Sequence, residues 1–150
     1  MFELITAATF DARTGRARAA VPADVPFLAD HFPGAPVLPG SLQLELCAQI
    51  AGPLAERAVL ADQKVERWAF LGMVRNAVFH RPVALPAELL IAAELKRVEP
   101  SSVVVVVSAS AGGEQACRGE LVMMLRDADP AWAGATAEAR ARVARWEAAW

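Results

Sequence analysis

The stretch HFPGAPVLPGSLQLELCAQIAG, residues 31–52, decides the fold of this 150-residue chain. Its first half contains three prolines and two glycines. These restrict the backbone, because proline fixes φ and glycine permits turns that other residues avoid. From Gly40 or Ser41 onward, apolar residues recur at helical spacing. The stretch therefore predicts a constrained loop that leads directly into a helix.

Two side chains in this stretch are candidates for proton transfer. His31, one of only two histidines in the chain, lies at the start of the loop, and Glu45 lies inside the apolar helix. Apolar residues surround Glu45 in sequence, and burial among them would favour the protonated carboxyl group. They are Leu42, Leu44, Leu46, Cys47 and Ile50. An imidazole base and a neutral carboxylic acid form a general acid/base pair.

Several short motifs follow one another in a distinctive order and spacing. His-Phe-Pro-Gly at 31–34 is followed by Pro39-Gly40 and by a helix that carries Glu45, Ala48 and Gln49; Phe-His-Arg-Pro-Val comes later, at 79–83. Over residues 17 to 125 this pattern resembles the beta-hydroxyacyl-[acyl carrier protein] dehydratases of dissociated fatty-acid synthesis. Those enzymes belong to the hot-dog fold superfamily, in which an antiparallel sheet wraps around a central helix.

The resemblance implies a role for three residues, and helical spacing gives a fourth residue a supporting role. His31 is the base for the C2 proton of a 3-hydroxyacyl thioester, and Glu45 is the acid for the leaving C3 oxygen. The backbone N–H of Gly40, at the positive end of the helix, polarises the thioester carbonyl. Gln49 lies four residues after Glu45, so it can contact and orient that carboxyl group.

The resemblance also implies a homodimer whose sites combine the histidine of one subunit with the acid of the other. The substrate partner is an acyl carrier protein, and the reaction needs no metal or cofactor. We expect Phe32, Pro39 and the segment Phe70-Leu71-Gly72 to line the substrate site, although core packing explains that segment equally well.

The rest of the chain predicts an α+β domain over residues 1–128 and a helical extension over 129–150. Gly52-Pro53 should kink or end the central helix. The extension carries Trp146 and Trp150 at helical spacing, so we expect it to pack on the chain's own sheet or dimer; a docking helix for another protein and a frayed tail are the alternatives. Predicted strands span residues 2–9, 16–21, 67–74 (continued by or paired with 76–80), 89–97, 101–109 and 114–126, with turns at 11–15 and 112–113.

Composition excludes several classes of function. The chain is 55% hydrophobic and 21% charged, which excludes a disordered chain. Its net charge of −2 gives no electrostatic case for nucleic acid. Cys47 and Cys117 form no CxxC motif, and we expect reduced thiols in a cytoplasmic protein. No apolar run approaches the ~20 residues of a membrane span.

Three alternatives to the dehydratase stay open at this point. A hot-dog thioesterase would need no loop histidine, and a coenzyme A-type enoyl hydratase would carry Asp-x-x-x-x-His, which Asp30-His31 does not reproduce. A non-catalytic hot-dog partner subunit would fold without turnover. The chain has no tyrosine and starts without the long N-terminal segment usual in the dehydratase family. From these departures we expect a specialised polyketide or lipid pathway rather than core fatty-acid synthesis.

Overall fold

The computed structural model describes residues 3–150 as one antiparallel sheet with a central helix and a C-terminal helix. The sheet order is β1-β2-β4-β5-β6-β3, and every neighbouring pair is antiparallel. The central helix α1 contacts all six strands. This is the α+β hot-dog arrangement that the sequence predicts. The elements are β1 Ile5–Phe10, β2 Thr14–Val21, α1 Gly40–Gln63, β3 Arg67–Phe79, β4 Ala87–Val98, β5 Ser102–Ala111, β6 Glu114–Asp127 and α2 Ala133–Ala148.

Helix α1 runs through Pro53 without ending, so of the two outcomes predicted at Gly52-Pro53, a kink or an end, the end is wrong. Proline removes one hydrogen bond to the carbonyl four residues earlier. The helix continues because core residues on both sides of Pro53 are buried: Ala51, Gly52, Leu54 and Ala55. It ends at Gln63, and the next residue, Lys64, adopts the left-handed conformation with φ 57°. Within residues 3–150, no helix is both long and apolar enough to cross a membrane.

The two predicted segments at 67–74 and 76–80 form a single strand, β3. Asn76 has a positive φ of 51°, and the pairing with β6 shifts register between Arg75 and Val78. The irregularity therefore lies within one continuing strand and does not create a hairpin. At the other end of the sheet β1 begins at Ile5; the first residues of the predicted 2–9 strand lie partly outside the described residues.

Both predicted turns form. The Asp11 carboxylate accepts hydrogen bonds from the backbone N–H groups of Arg13 and Thr14 at 2.8 and 2.7 Å, and this closes the β1–β2 turn. Gly112 and Gly113 have φ of 59° and 80° between β5 and β6. Side chains disfavour two consecutive positive φ values, so glycine is required there.

The tail forms a short 3₁₀ turn at Pro130–Trp132 and then α2, which packs on β1. Trp146 is only 3% exposed, and its indole N–H donates to the Glu3 carboxylate at 2.9 Å. Trp150 is 46% exposed in the single chain, so of the two tryptophans it is Trp146 that is buried against the sheet. The helix ends at Ala148, and Trp150 therefore loses the helical spacing; its ring lies against the guanidinium group of Arg18.

Both cysteines are free, as the sequence predicts, and both are buried in the core. Cys47 on α1 and Cys117 on β6 are free and fully covered. A hydrogen bond with Cys117, together with burial, raises the pKa of the Cys47 thiol well above its ordinary value. Such a thiol stays protonated and unreactive.

Candidate active site

The loop that carries His31 is fastened by backbone hydrogen bonds at both of its ends. The His31 N–H donates to the Leu28 carbonyl at 2.9 Å, and the Val37 N–H donates to the His31 carbonyl at 2.7 Å. Farther along, residues 36–38 pair with residues 83–85 through an isolated antiparallel bridge. These hydrogen bonds thus hold the loop in a defined conformation next to the N-terminus of α1.

One nitrogen of the His31 imidazole ring is hydrogen-bonded to the backbone, and the other can accept a proton. Its Nδ1 lies 3.0 Å from the carbonyl oxygen of Val37. A carbonyl only accepts hydrogen bonds, so in the neutral ring Nδ1 carries the proton and Nε2 keeps its lone pair. The ring is partly exposed and stacks on Phe32 at a centroid distance of 4.8 Å. His31 is therefore oriented as a base with a free nitrogen.

Gly40 is the first residue of α1, immediately after Pro39. A Cβ atom at position 40 would lie 2.8 Å from Cε1 of Phe79, closer than side-chain contacts allow. Glycine thus permits the end of β3 to pack against the start of the helix. Backbone N–H groups in the first turn of a helix have no intrahelical acceptor, so the N–H of Gly40 can serve a ligand.

Glu45 is exposed in the single chain, so its apolar neighbours in sequence do not bury it there. Leu46, Cys47 and Ile50 point into the core, whereas Glu45 lies on the opposite side of α1. The Gln49 side-chain amide donates to the Glu45 carboxylate at 3.0 Å. The predicted contact four residues along the helix therefore forms on the solvent side.

A cavity of about 630 Å³ begins at Glu45 and Gln49 and lies between α1, the start of β3 and α2. Of the predicted substrate-site residues, Phe70 and Leu71 line it. His31, Phe32, Pro39 and Gly72 are not among the lining residues that the structure describes. A side chain at Gly72 would overlap Met124 on the neighbouring strand, which gives that glycine a packing role.

Sequence reasoning missed Glu56, which also lines the cavity. Its carboxylate accepts a hydrogen bond from the Ala69 N–H at 3.0 Å. Burial raises the pKa of the Glu56 carboxyl group, although the Ala69 hydrogen bond and the Arg140 charge oppose that shift. Glu56 follows Glu45 by eleven residues, which is close to three helical turns, so both lie on one face of α1. The eleven-residue spacing from Glu45 is the feature of the sequence that could have identified Glu56 as a second acid on that face.

Residues 1–123 match the family model described as the FabA-like domain. A 3-hydroxyacyl-[acyl-carrier-protein] dehydratase FabZ from Verminephrobacter eiseniae is 38% identical over 101 residues, which cover 67% of each chain. The enzyme of the same name from Chlamydia trachomatis serovar L2 is 36% identical over 100 residues, covering 67% of this chain and 65% of its own. The chain spans about two thirds of the length of these relatives.

Solved structures with the same fold are more distant in sequence. A Streptococcus mutans protein bound to acetyl CoA has a TM-score of 0.67 at 15% identity, with 85% of this chain and 92% of that one covered. The dehydratase heterocomplex ApeI:P from Xenorhabdus doucetiae has a TM-score of 0.64 at 16% identity, covering 83% and 84%. These likenesses support the hot-dog fold. The family-model match over residues 1–123 and the relatives at 36% and 38% identity show that the chain belongs to the FabA-like family.

Proposed function

We propose that the protein dehydrates a 3-hydroxyacyl thioester, carried on an acyl carrier protein, to the trans-2-enoyl thioester. The observation that carries this proposal is the His31 Nδ1–H bond to the Val37 carbonyl, which leaves Nε2 as a fixed proton acceptor beside the start of α1. The dehydratases among the relatives support the same reaction class. The presence of two free thiols fits a reducing compartment such as the cytoplasm.

Two side chains, His31 and Glu45, account for both proton transfers of the proposed reaction. His31 Nε2 takes the C2 proton, and the electron pair of that C–H bond forms the C2–C3 double bond. The C3–O bond breaks as Glu45 gives its proton to the leaving oxygen, so water departs. The Gly40 N–H donates to the thioester oxygen, where negative charge develops. Proton transfer from the imidazolium then restores the Glu45 acid.

We further propose that two copies pair through β3, the edge strand that hydrogen-bonds only to β6 among the described strands. Every residue from Phe70 to Phe79 is exposed, including large apolar ones such as Met73 at 50%. A long apolar edge strand is a template for pairing with another chain. A homodimer would cover these side chains.

Antiparallel pairing of two β3 strands about a two-fold axis would place the Phe79 end of one strand beside the Arg67 end of the other. The Phe79 end contacts Gly40, at the end of the His31 loop, whereas Phe70 and Leu71 lie in the cavity with Glu45. The arrangement would bring His31 of one subunit toward the cavity of its partner. It would also supply the desolvation that Glu45 lacks in the single chain.

The test is turnover of 3-hydroxyacyl-carrier substrates followed by mass spectrometry of the enoyl product. His31→Ala removes the base and Glu45→Gln removes the transferable proton, so each should lower kcat by at least about 10²-fold. The melting temperature should stay near that of the wild type. His80→Ala and Glu88→Gln are matched controls at exposed positions and should keep full turnover.

Wild-type turnover in the His31 or Glu45 variant would contradict the proposed roles. Release of free carrier thiol from the wild-type protein, with no enoyl product, would identify a thioesterase instead. A folded protein that turns over no hydroxyacyl thioester would indicate a non-catalytic partner subunit.

A further inference from the structure

Helix α2 lies beyond the residues that match the family model, yet it forms one wall of the cavity that begins at Glu45. The lining residues from α2 include Thr136, Ala139 and Val143. A cavity of about 630 Å³ falls within the usual range for small-molecule sites. The tail of this chain thus shapes a ligand-sized space that is continuous with the proposed catalytic acid.

The cavity follows α1 along much of its length. Lining residues on the helix run from Glu45 to Leu60, and a rise of ~1.5 Å per residue gives a path of roughly 22 Å. Two ion pairs show where α2 lies on this path. Glu147 pairs with Arg57, and Arg140 pairs with Glu66 just before β3. Helix α2 therefore lines the end of the cavity that is remote from Glu45.

The chemistry of the walls favours an uncharged chain. The Arg57 guanidinium donates two hydrogen bonds of 2.8 Å to the Glu147 carboxylate, and Arg140 donates to Glu66 at 3.2 Å. Since acids already neutralise these cations, they offer little attraction for a phosphate group. Between the charged positions the walls are mainly apolar: Ala48, Gly52, Leu71, Met123, Ala139 and Val143.

We propose that α2 sets the acyl-chain length that this protein accepts. The cavity holds the hydrocarbon part of the acyl group, with C2 and C3 at Glu45 and the chain end beneath Ala139 and Val143. This inference rests on the proposed dehydration. It assigns a specificity role to a helix that lies outside residues 1–123, the part of the chain that matches the family model.

Ala139→Trp tests the proposal because it fills the remote end of the cavity. We expect the ratio of kcat/KM for a sixteen-carbon 3-hydroxyacyl-carrier substrate to that for a four-carbon one to fall by about tenfold or more. Ala141→Trp makes the same change on the exposed side of α2, outside the cavity lining, and should leave this ratio unchanged. An unchanged ratio in Ala139→Trp would overturn the proposal.

Val143→Ala is a second test that can be used if the Ala139→Trp variant does not fold. It removes volume from the same wall, so the ratio should shift toward the longer substrate. The same ratio in this variant and the wild type would contradict the assignment. Circular dichroism and thermal melting identify the folded variants, and only their kcat/KM ratios are compared.

Calorimetric binding of saturated acyl-pantetheine thioesters separates this inference from the proposed reaction, because these probes cannot be dehydrated. We expect Ala139→Trp to weaken binding of the sixteen-carbon thioester more than that of the four-carbon one. If this occurs but no hydroxyacyl substrate reacts, the cavity assignment stands and the dehydration fails. If dehydration proceeds and neither variant changes length preference, the dehydration stands and the role of α2 fails.

Discussion

His31 and Glu45 differ in how firmly the chain holds them. The His31 ring is oriented by Val37, and Val37 in turn donates its N–H to the His31 carbonyl. Glu45 receives a single side-chain hydrogen bond, from Gln49, and is otherwise exposed. The base is therefore positioned by the folded chain alone, whereas the proposed acid needs substrate or a second subunit to remove water from it.

Glu56 gives a pH dependence that can be measured at the residue scale. Burial raises the pKa of its carboxyl group in the folded chain, so the folded state holds this proton more tightly than the unfolded state. The stability associated with this proton is full below the unfolded pKa and is lost as pH rises through the folded value. Two charged groups act on it, Arg140 lowering the pKa and Glu66 raising it.

We therefore expect Glu56→Gln to gain stability relative to the wild type as pH increases from 4 to 8. Glutamine retains an oxygen that can accept the Ala69 N–H. Urea unfolding at several pH values, with Glu88→Gln as the exposed control, measures the difference. A constant difference between Glu56→Gln and the wild type across this range would show that Glu56 does not titrate abnormally.

At the scale of elements, α2 is fixed mainly by Trp146. This side chain is buried against the sheet and donates to Glu3 near β1. The Arg57–Glu147 ion pair has good geometry, but its side chains are 43% and 36% exposed. Exposed ion pairs contribute only about 0.2–1 kcal/mol. Most of the docking energy of α2 should thus come from apolar burial.

Trp146→Ala should lower the free energy of unfolding by about 3–5 kcal/mol, because it removes a large buried aromatic side chain. Trp150→Ala is the matched control and should change stability by less than about 0.5 kcal/mol, since that ring is half exposed beyond the helix. Chemical denaturation of both variants measures this. Equal effects would mean that α2 does not dock through Trp146.

At the scale of the whole molecule, the sheet has one edge prepared for a partner. Helix α2 packs on β1 at one edge, whereas β3 at the other exposes apolar side chains along most of its length. Burying them against a second copy would extend the sheet and bring two proposed sites to one interface.

Mixing His31→Ala with Glu45→Gln tests whether sites form across that interface. After random subunit exchange, half of the dimers are mixed, and each mixed dimer has one intact site out of two. Activity should therefore recover to about a quarter of the wild-type value. Each variant alone, treated identically, is the control. Proven exchange without recovery would place both groups within one chain.

The local features of this protein could be predicted from its sequence. The loop at 31–40, the helix after it and the Gly112-Gly113 turn follow from backbone preferences that act within a few residues. The proposed acid and base could be named because His31 and Glu45 lie only fourteen positions apart in one motif. The spacing of apolar residues along the chain likewise indicated which segments are helices and which are strands.

Only the tertiary structure decided which faces are covered. Glu45 has apolar neighbours in sequence, but α1 turns Leu46, Cys47 and Ile50 into the core and leaves Glu45 outside. The cavity walls come from residues as far apart as Glu45 and Glu147, and Trp150 stays about half exposed because α2 stops at Ala148. Burial depends on contacts between segments distant in the chain, and these are fixed when the elements pack rather than by any local pattern.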